Sequence, residues 1–296
     1  MESVVILGST GMLGSTLTRY MERVFPSVTE LNRMGESVTG RNRSIEFDVL
    51  KDNNLVDKLN QLKPDYIINA IGMIKQLIDE QNEEDIEKAQ KINADFSETL
   101  NHFALTSGIR VIQIGTDCVY SGKKGSYSEI SSFDPLDTYG VTKLAGEYAS
   151  TESMILRCSV IGRELHSSIS LMEWVLSQPL GAVINGFNNH IWNGVTTLQF
   201  AEVVSGIIRS GSFTPGVQHL VPSNAVSKYD LIRLIARDFG RSDLSIIETK
   251  AQNDVDRSLI TVDSARNLHM WQAGGYNKVP TIKEMVSKYA RWTEIQ

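Results

Sequence analysis

A phenol and an ammonium stand four residues apart in Tyr139-Gly140-Val141-Thr142-Lys143, one helical turn, which puts both on one face. A lysine charge beside a tyrosine favours the phenolate and lowers its pKa. Such a tyrosine can give a proton to the alkoxide that forms as hydride reaches a carbonyl carbon, or take one in the reverse direction. An amphipathic surface helix would also carry this pair, so the pair alone decides nothing. The segment Gly115-Thr116-Asp117-Cys118-Val119-Tyr120 adds weight, because it follows the apolar run Val111–Ile114. Thr116 would emerge at the carboxyl end of that strand, where a hydroxyl can polarise the same carbonyl.

Hydride chemistry needs a donor, and the chain begins with a place for one. The apolar run Val4–Leu7 leads into Gly8-Ser9-Thr10-Gly11-Met12-Leu13-Gly14 and then an amphipathic stretch, the strand–turn–helix context of a dinucleotide site. The glycines allow a tight turn and close approach of backbone to a pyrophosphate, and the helix N-terminus adds free N–H groups. Beyond the second strand, Val28–Leu31, the chain reads Asn32-Arg33, a cation where an NAD site would place a carboxylate. Arg33, with Arg41 or Arg43 assisting, suits a 2′-phosphate, so NADP(H) is preferred and NAD(H) is the alternative. Asp48-Val49 is expected to meet the adenine, Ala70-Ile71-Gly72 to line the ribose side, and Tyr139 and Lys143 to reach the nicotinamide end. Asn93 is a candidate to order Lys143 through water.

These groups need a frame that brings distant segments to one edge. Short β-branched runs at Val4–Leu7, Val28–Leu31, Ile45–Phe47, Tyr66–Asn69, Val111–Ile114 and Met154–Leu156 alternate with helical patterns at Met12–Val24, Asn53–Gln61, Ile86–Thr106 and Thr138–Ala149. The runs are too continuously apolar to have a wet face, which predicts an α/β fold: a Rossmann-type doubly wound parallel sheet covered on both sides. Gly108 is placed to stop the third helix in a left-handed turn. After Cys158 the alternation loosens, with helices expected near Ser168–Ser177, Leu198–Arg209, Lys228–Phe239 and Thr281–Trp292. The expected division is a dinucleotide-binding domain over residues 1–163 and 192–224, and a smaller substrate-binding region over 164–191 and 225–296.

Composition agrees with a cytoplasmic enzyme. The 296 residues are 41% hydrophobic, carry a net charge of -6 with scattered basic residues, and include two cysteines with no Cys-x-x-Cys pair. That argues against nucleic-acid binding, a disulfide framework or a structural metal. No apolar run approaches the ~20 residues of a membrane span, and the N-terminus lacks a leader pattern. Apolar helices such as 136–149 and 86–106 could form the seam of a homodimer.

The motifs resemble the extended short-chain dehydrogenase/reductases, and within them the dTDP-4-dehydrorhamnose reductase group. The resemblance rests on Gly8–Gly14, Asp65–Ala70, Asn93-Ala94, Thr116–Gly122 and Asp134–Glu147, and covers the first ~160 residues best. It implies a Thr116–Tyr139–Lys143 triad, NAD(P)H as hydride donor and a nucleotide-linked 4-keto-6-deoxy sugar as substrate. It also places Cys118, Val119, Tyr120, Val160, Trp192 and Arg257 around that substrate, Arg257 near the nucleotide diphosphate. Rhamnose-type members carry an aromatic where Cys118 stands and a tryptophan where Val160 stands, so the sugar is expected to differ. GDP-fucose synthases use a cysteine at the position of Cys118 as an acid/base, which opens an epimerase/reductase reading with His166 as partner. The other open reading is a non-catalytic NADP-binding regulatory subunit; the intact Thr116, Tyr139 and Lys143 set favours an enzyme. A nucleotide-sugar dehydratase would want an acidic pair after the threonine, which Asp117-Cys118 does not supply.

Overall fold

The computed structural model describes residues 2–295. Its frame is a parallel sheet of β1 (Ser3–Leu7), β2 (Ser27–Asn32), β3 (Arg43–Glu46), β4 (Tyr66–Asn69), β5 (Arg110–Gly115), β6 (Met154–Arg157) and, after a set of short strands, β11 (Gly216–His219). The order across the sheet is β11-β6-β5-β4-β1-β2-β3, with every pairing parallel. Successive residues of β1 explain the absence of polar alternation: Val4 and Ile6 enter the core on one face, Val5 and Leu7 the core on the other. Strand order reverses between β1 and β4, and such a reversal opens a crevice at the carboxyl ends of the strands. The expected strands all form. β11 was not expected, because its Gln218 and His219 are polar residues buried by hydrogen bonding and leave no apolar run to read.

The helices α1 (Met12–Met21), α2 (Leu55–Leu62), α3 (Glu83–Gln90), α4 (Phe96–Ser107) and α5 (Thr138–Tyr148) connect the first six strands. Gly108 ends α4 in the left-handed region (φ 72°). The single helix expected over Ile86–Thr106 is instead α3 and α4 joined by a π-helical turn at Lys91–Asp95. The wider turn carries an Asn93 that is fully engaged with neighbouring segments, a setting in which π-bulges recur.

The remainder comprises α6 (Leu171–Leu176), α7 (Thr197–Ser210), α8 (Lys228–Asp238), α9 (Ser264–Ala273) and α10 (Ile282–Glu294), with β7 (Val160–Ile161) paired to β10 (Val195–Thr196). A parallel pair joins β8 (Val183–Phe187) to β13 (Ser245–Thr249), and β9 (His190–Trp192) lies between β12 (Val226–Ser227) and β14 (Val255–Asp256). Helix α9 had not been expected. The larger apolar core runs without a break from Leu17 and Leu156 through Phe200 to Ile232, Trp271 and Tyr289, so it crosses the expected domain division. Among the described residues no helix is long and apolar enough to cross a membrane.

Candidate active site

The first turn is built by contacts that exclude side chains. Gly8 has φ +80°, and a Cβ on it would lie 2.9 Å from Ile71, so the turn sits against the Ala70-Ile71 end of β4. A Cβ on Gly14 would lie 2.0 Å from the Gly8 carbonyl oxygen, so only glycine lets α1 start this close to β1. Gly11 has nothing nearer than that same oxygen at 3.4 Å and offers no capping side chain, leaving the first-turn N–H groups facing an open side. A diphosphate fits such a cradle. Leu13 contributes only its backbone, since its side chain lies in the core.

At the end of β2, Asn32 is buried and its amide is spent. Its Nδ2 shares two N–H groups among Ser9 Oγ (2.9 Å), the Glu36 carbonyl (2.9 Å) and Ser44 Oγ (3.2 Å), and its Oδ1 accepts from the Met34 N–H (3.0 Å). Its expected part as a ligand group is thereby corrected to tying the turn to the next loop. Glu30 is likewise occupied inside, by Ser37, Val38 and Asn42. Arg33 is the exposed group, lining a cleft of about 390 Å³ with Met34, Glu46, Asp48, Lys51 and Asp52. Arg41 is turned to Glu22 (3.8 Å). Val49 packs on the core beside Phe47, and Gly72 lies open at the end of β4.

Helix α5 reaches the sheet edge through two more glycines. A Cβ on Gly140 would overlap the Cys118 carbonyl oxygen, and one on Gly146 would overlap that of Asn93. Gly140 therefore sets Tyr139 beside the Thr116–Cys118 turn, and Gly146 seats α5 on the π-helical segment. Asp137 caps the helix by accepting from the Gly140 N–H (2.9 Å), Lys75 pairs with Asp137 (2.7 Å), and Glu80 accepts from the Thr138 N–H and hydroxyl. Lys143, one turn after Tyr139, donates from Nζ to the Ile114 carbonyl (2.9 Å).

Asn93 makes no direct hydrogen bond to Lys143. Its amide donates to the Met73 carbonyl (3.0 Å) and Thr142 Oγ1 (3.1 Å) and accepts from the Met73 N–H (2.9 Å), so it fixes the loop after β4 to α5. The expected lowering of the Tyr139 pKa is also corrected. Burial raises it, with Cys118 adding to the rise and the Thr116 hydroxyl opposing it, while burial lowers that of Lys143 and Glu147 opposes that fall. The phenol is therefore protonated at neutral pH, the form a proton donor needs.

Cys118 is half-buried, and burial together with the neighbouring Asp117 pushes its thiol up to about 12. The expectation of a partly ionised thiol fails for that reason. His166 lies exposed in the loop before α6. Val119 and Tyr120 are fully buried, Tyr120 stacked on Tyr127 with its hydroxyl donating to the Ser128 carbonyl (2.8 Å), so neither side chain lines the crevice. Trp192 is also a core residue: its ring is buried and its indole N–H is donated to Ser159 Oγ (2.8 Å). Val160 is half-buried in β7 opposite Val195.

Arg257 lies against the segment that follows β5. It follows β14, donates from Nε to the Tyr120 carbonyl (2.9 Å) and packs along Gly122, where a Cβ would meet it at 3.0 Å. Sequence reasoning missed Lys228, the first residue of α8. The strands β12 and β14 flank β9 and put Lys228 and Arg257 on one side of that small sheet. Both cations act on Asp117, which burial raises and they lower, and Lys228 is itself lowered by burial. A lysine opening an amphipathic helix gives no signal of this, because nothing local shows which strand the helix follows.

A turn shaped for a diphosphate, a crevice at the strand reversal, and a Thr–Tyr–Lys set at its rim narrow the family sharply. The family model described as RmlD substrate binding domain matches residues 1–292. The chain belongs to that family. It is 25% identical over 260 residues to the dTDP-4-dehydrorhamnose reductase of Escherichia coli K12, covering 84% of this chain and 82% of that one. Among solved structures, the dTDP-4-dehydrorhamnose reductase of Bacillus anthracis in complex with NADP superposes with a TM-score of 0.77 at 18% identity, covering 100% of both chains. MoeE5 in complex with UDP-glucose and NAD superposes with a TM-score of 0.75 at 19% identity, covering 99% of both. Those two likenesses concern the fold.

Proposed function

We propose that this chain, a sugar-nucleotide reductase of the dTDP-4-dehydrorhamnose reductase type, reduces the keto carbon of a nucleotide-linked 4-keto-6-deoxy sugar, with Tyr139 as general acid. The observation that carries the reading is the packing of Gly140 on Cys118, which sets a protonated Tyr139 phenol beside Thr116, with Lys143 one turn behind. Bound in the cradle of Gly8–Gly14, a reduced nicotinamide dinucleotide supplies the hydride. Thr116 donates a hydrogen bond to the substrate oxygen, Tyr139 gives that oxygen its proton, and the Lys143 ammonium restores the phenol.

Arg33, the exposed cation beside the cleft, favours NADP(H) through its fit to a 2′-phosphate. Lys228 and Arg257 serve the substrate side, and residues 164–191 and 225–296 form the region that carries them against the crevice. The epimerase reading is weaker, because a thiol held up to about 12 is a poor base near neutrality.

Loss of nicotinamide absorbance, followed with NADPH and then NADH against dTDP-, UDP-, GDP- and CDP-linked 4-keto-6-deoxy sugars, tests this reading. Turnover with one of them, lost in Tyr139→Phe, is the expected result. Cofactor binding without turnover on any sugar would refute it.

A further inference from the structure

Tyr139, Lys143 and Glu147 are spaced four apart along one stripe of α5, and the third has no part in the mechanism above. Glu147 is buried, and a Cβ on the facing Gly115 of β5 would lie 2.6 Å from its Oε1. Its carboxylate accepts from Arg157 of β6 at two points, Nη2 to Oε2 at 2.5 Å and Nε to Oε1 at 3.4 Å. Arg157 is 1% exposed and completes its bonding by donating from Nη1 to the Tyr120 hydroxyl (3.0 Å) and His219 Nε2 (2.9 Å). His219 Nδ1 donates to the Ile260 carbonyl (2.7 Å), so the ring is neutral with Nε2 as the acceptor.

Every group in this network is satisfied on the side away from the crevice. A pocket of about 10 Å³, no larger than one water, is lined by Glu147 and Lys143 together with Ser97, Gln113, Ser150 and the apolar Ile114 and Ile155. Lys143 has one hydrogen-bond acceptor, the Ile114 carbonyl, and that acceptor is uncharged. The other titratable groups around the pair are Tyr139 on the same helix, Tyr120 after β5 and Arg157 on β6, with His219 and Glu129 behind Arg157, while Asp117, Cys118 and Asp137 act on Tyr139.

We propose that Glu147 is a positioning residue of the reaction: it is the counter-charge that keeps the half-buried Lys143 ammonium protonated, and Arg157 holds that carboxylate in place. The proposal rests on the reductase reading for its purpose, since a neutral Lys143 could not return a proton to Tyr139. Burial pulls the Lys143 pKa down, and Glu147 is the one charge pulling it back up. Arg157 lies beyond the carboxylate, so its opposing effect on Lys143 is the smaller of the two.

The test measures Lys143 without turnover. Competitive acetylation with acetic anhydride across pH, read peptide by peptide by mass spectrometry, gives the titration midpoint of that amine in the whole protein. Glu147→Gln should lower the midpoint, raising the reactive fraction at pH 8 by about tenfold. Because that variant leaves a buried guanidinium unpaired and risks misfolding, Glu147→Gln/Arg157→Met is measured beside it and should fall between it and the native protein. The alkaline limb of kcat/KM should move to lower pH in the same order. A Lys143 midpoint unchanged in every variant that folds, with only thermal stability reduced, would overturn the proposal. Failure of the reductase reading shows separately, as native protein that labels as expected yet turns over no sugar.

Discussion

The state of Cys118 separates a simple reductase from an epimerase, and alkylation reads it directly. Burial and the adjacent Asp117 push its thiol from 9.0 up to about 12. At pH 8 an ordinary thiol of pKa 9.0 is about one-tenth thiolate, whereas Cys118 is about one part in 10⁴, a deficit of about a thousandfold. A more basic thiolate is intrinsically more nucleophilic, by about 0.4–0.5 log unit per pKa unit, which returns about 20-fold over three units. Net alkylation of native Cys118 by iodoacetamide should therefore run about 50-fold slower than in the unfolded chain, before any steric term. Peptide mass spectrometry of timed aliquots between pH 7 and 10.5 gives the rate, with urea-unfolded protein as reference and Cys118→Ser as blank. The native rate should rise steadily with pH and show no plateau. A plateau beginning below pH 9, or a native rate at pH 8 equal to the unfolded one, would refute the reasoning. It would also restore an acid/base cysteine, in which case solvent deuterium should enter the carbon skeleton of the product.

Gly14→Ala puts a methyl 2.0 Å from the Gly8 carbonyl oxygen, so α1 must draw back by over 1 Å to reach ordinary contact. The expected outcome is a stability loss of about 1–3 kcal/mol and NADPH affinity weakened about tenfold or more, read by thermal melting and by fluorescence titration. Arg33→Ala should weaken NADPH binding by about tenfold and leave NADH binding unchanged; equal losses for both would remove the 2′-phosphate assignment. His219 is held neutral, its pKa pushed down to about 4 by burial and Arg157. A depressed pKa means its contribution is fully present above the unfolded value near 6.5 and is lost as pH falls through 4, for a total of about 3 kcal/mol. Glutamine can both donate to Ile260 and accept from Arg157, so His219→Gln should flatten the loss of melting temperature between pH 6.5 and 4.

The candidate chemistry-bearing residues were legible because their juxtaposition follows from local spacing. Tyr139 and Lys143 are one turn apart whatever surrounds them, and Gly8–Gly14 announces itself by residues that only a close approach requires. The errors share one cause, which is that distance along the chain does not say which way a side chain points. Val119 and Tyr120 adjoin Cys118, yet the short helical turn at Asp117–Val119 sends them inward, and Tyr120 ends against Arg157 instead of substrate. Asn93 looked free on a helix face until the π-helical turn carried it to Met73 and Thr142. Trp192 is buried in the core and spends its N–H on Ser159. Glu147 and Lys228 show the converse. Their effect on the site depends on a partner 10 residues away on the following strand for one, and on the pairing of three two- or three-residue strands for the other. No periodicity encodes such pairings. A site assembled from strand ends is thus readable from sequence in its reacting groups, while the charges that tune those groups are set by tertiary neighbours, and mutating the tuning charges tests the structure more severely than mutating the triad.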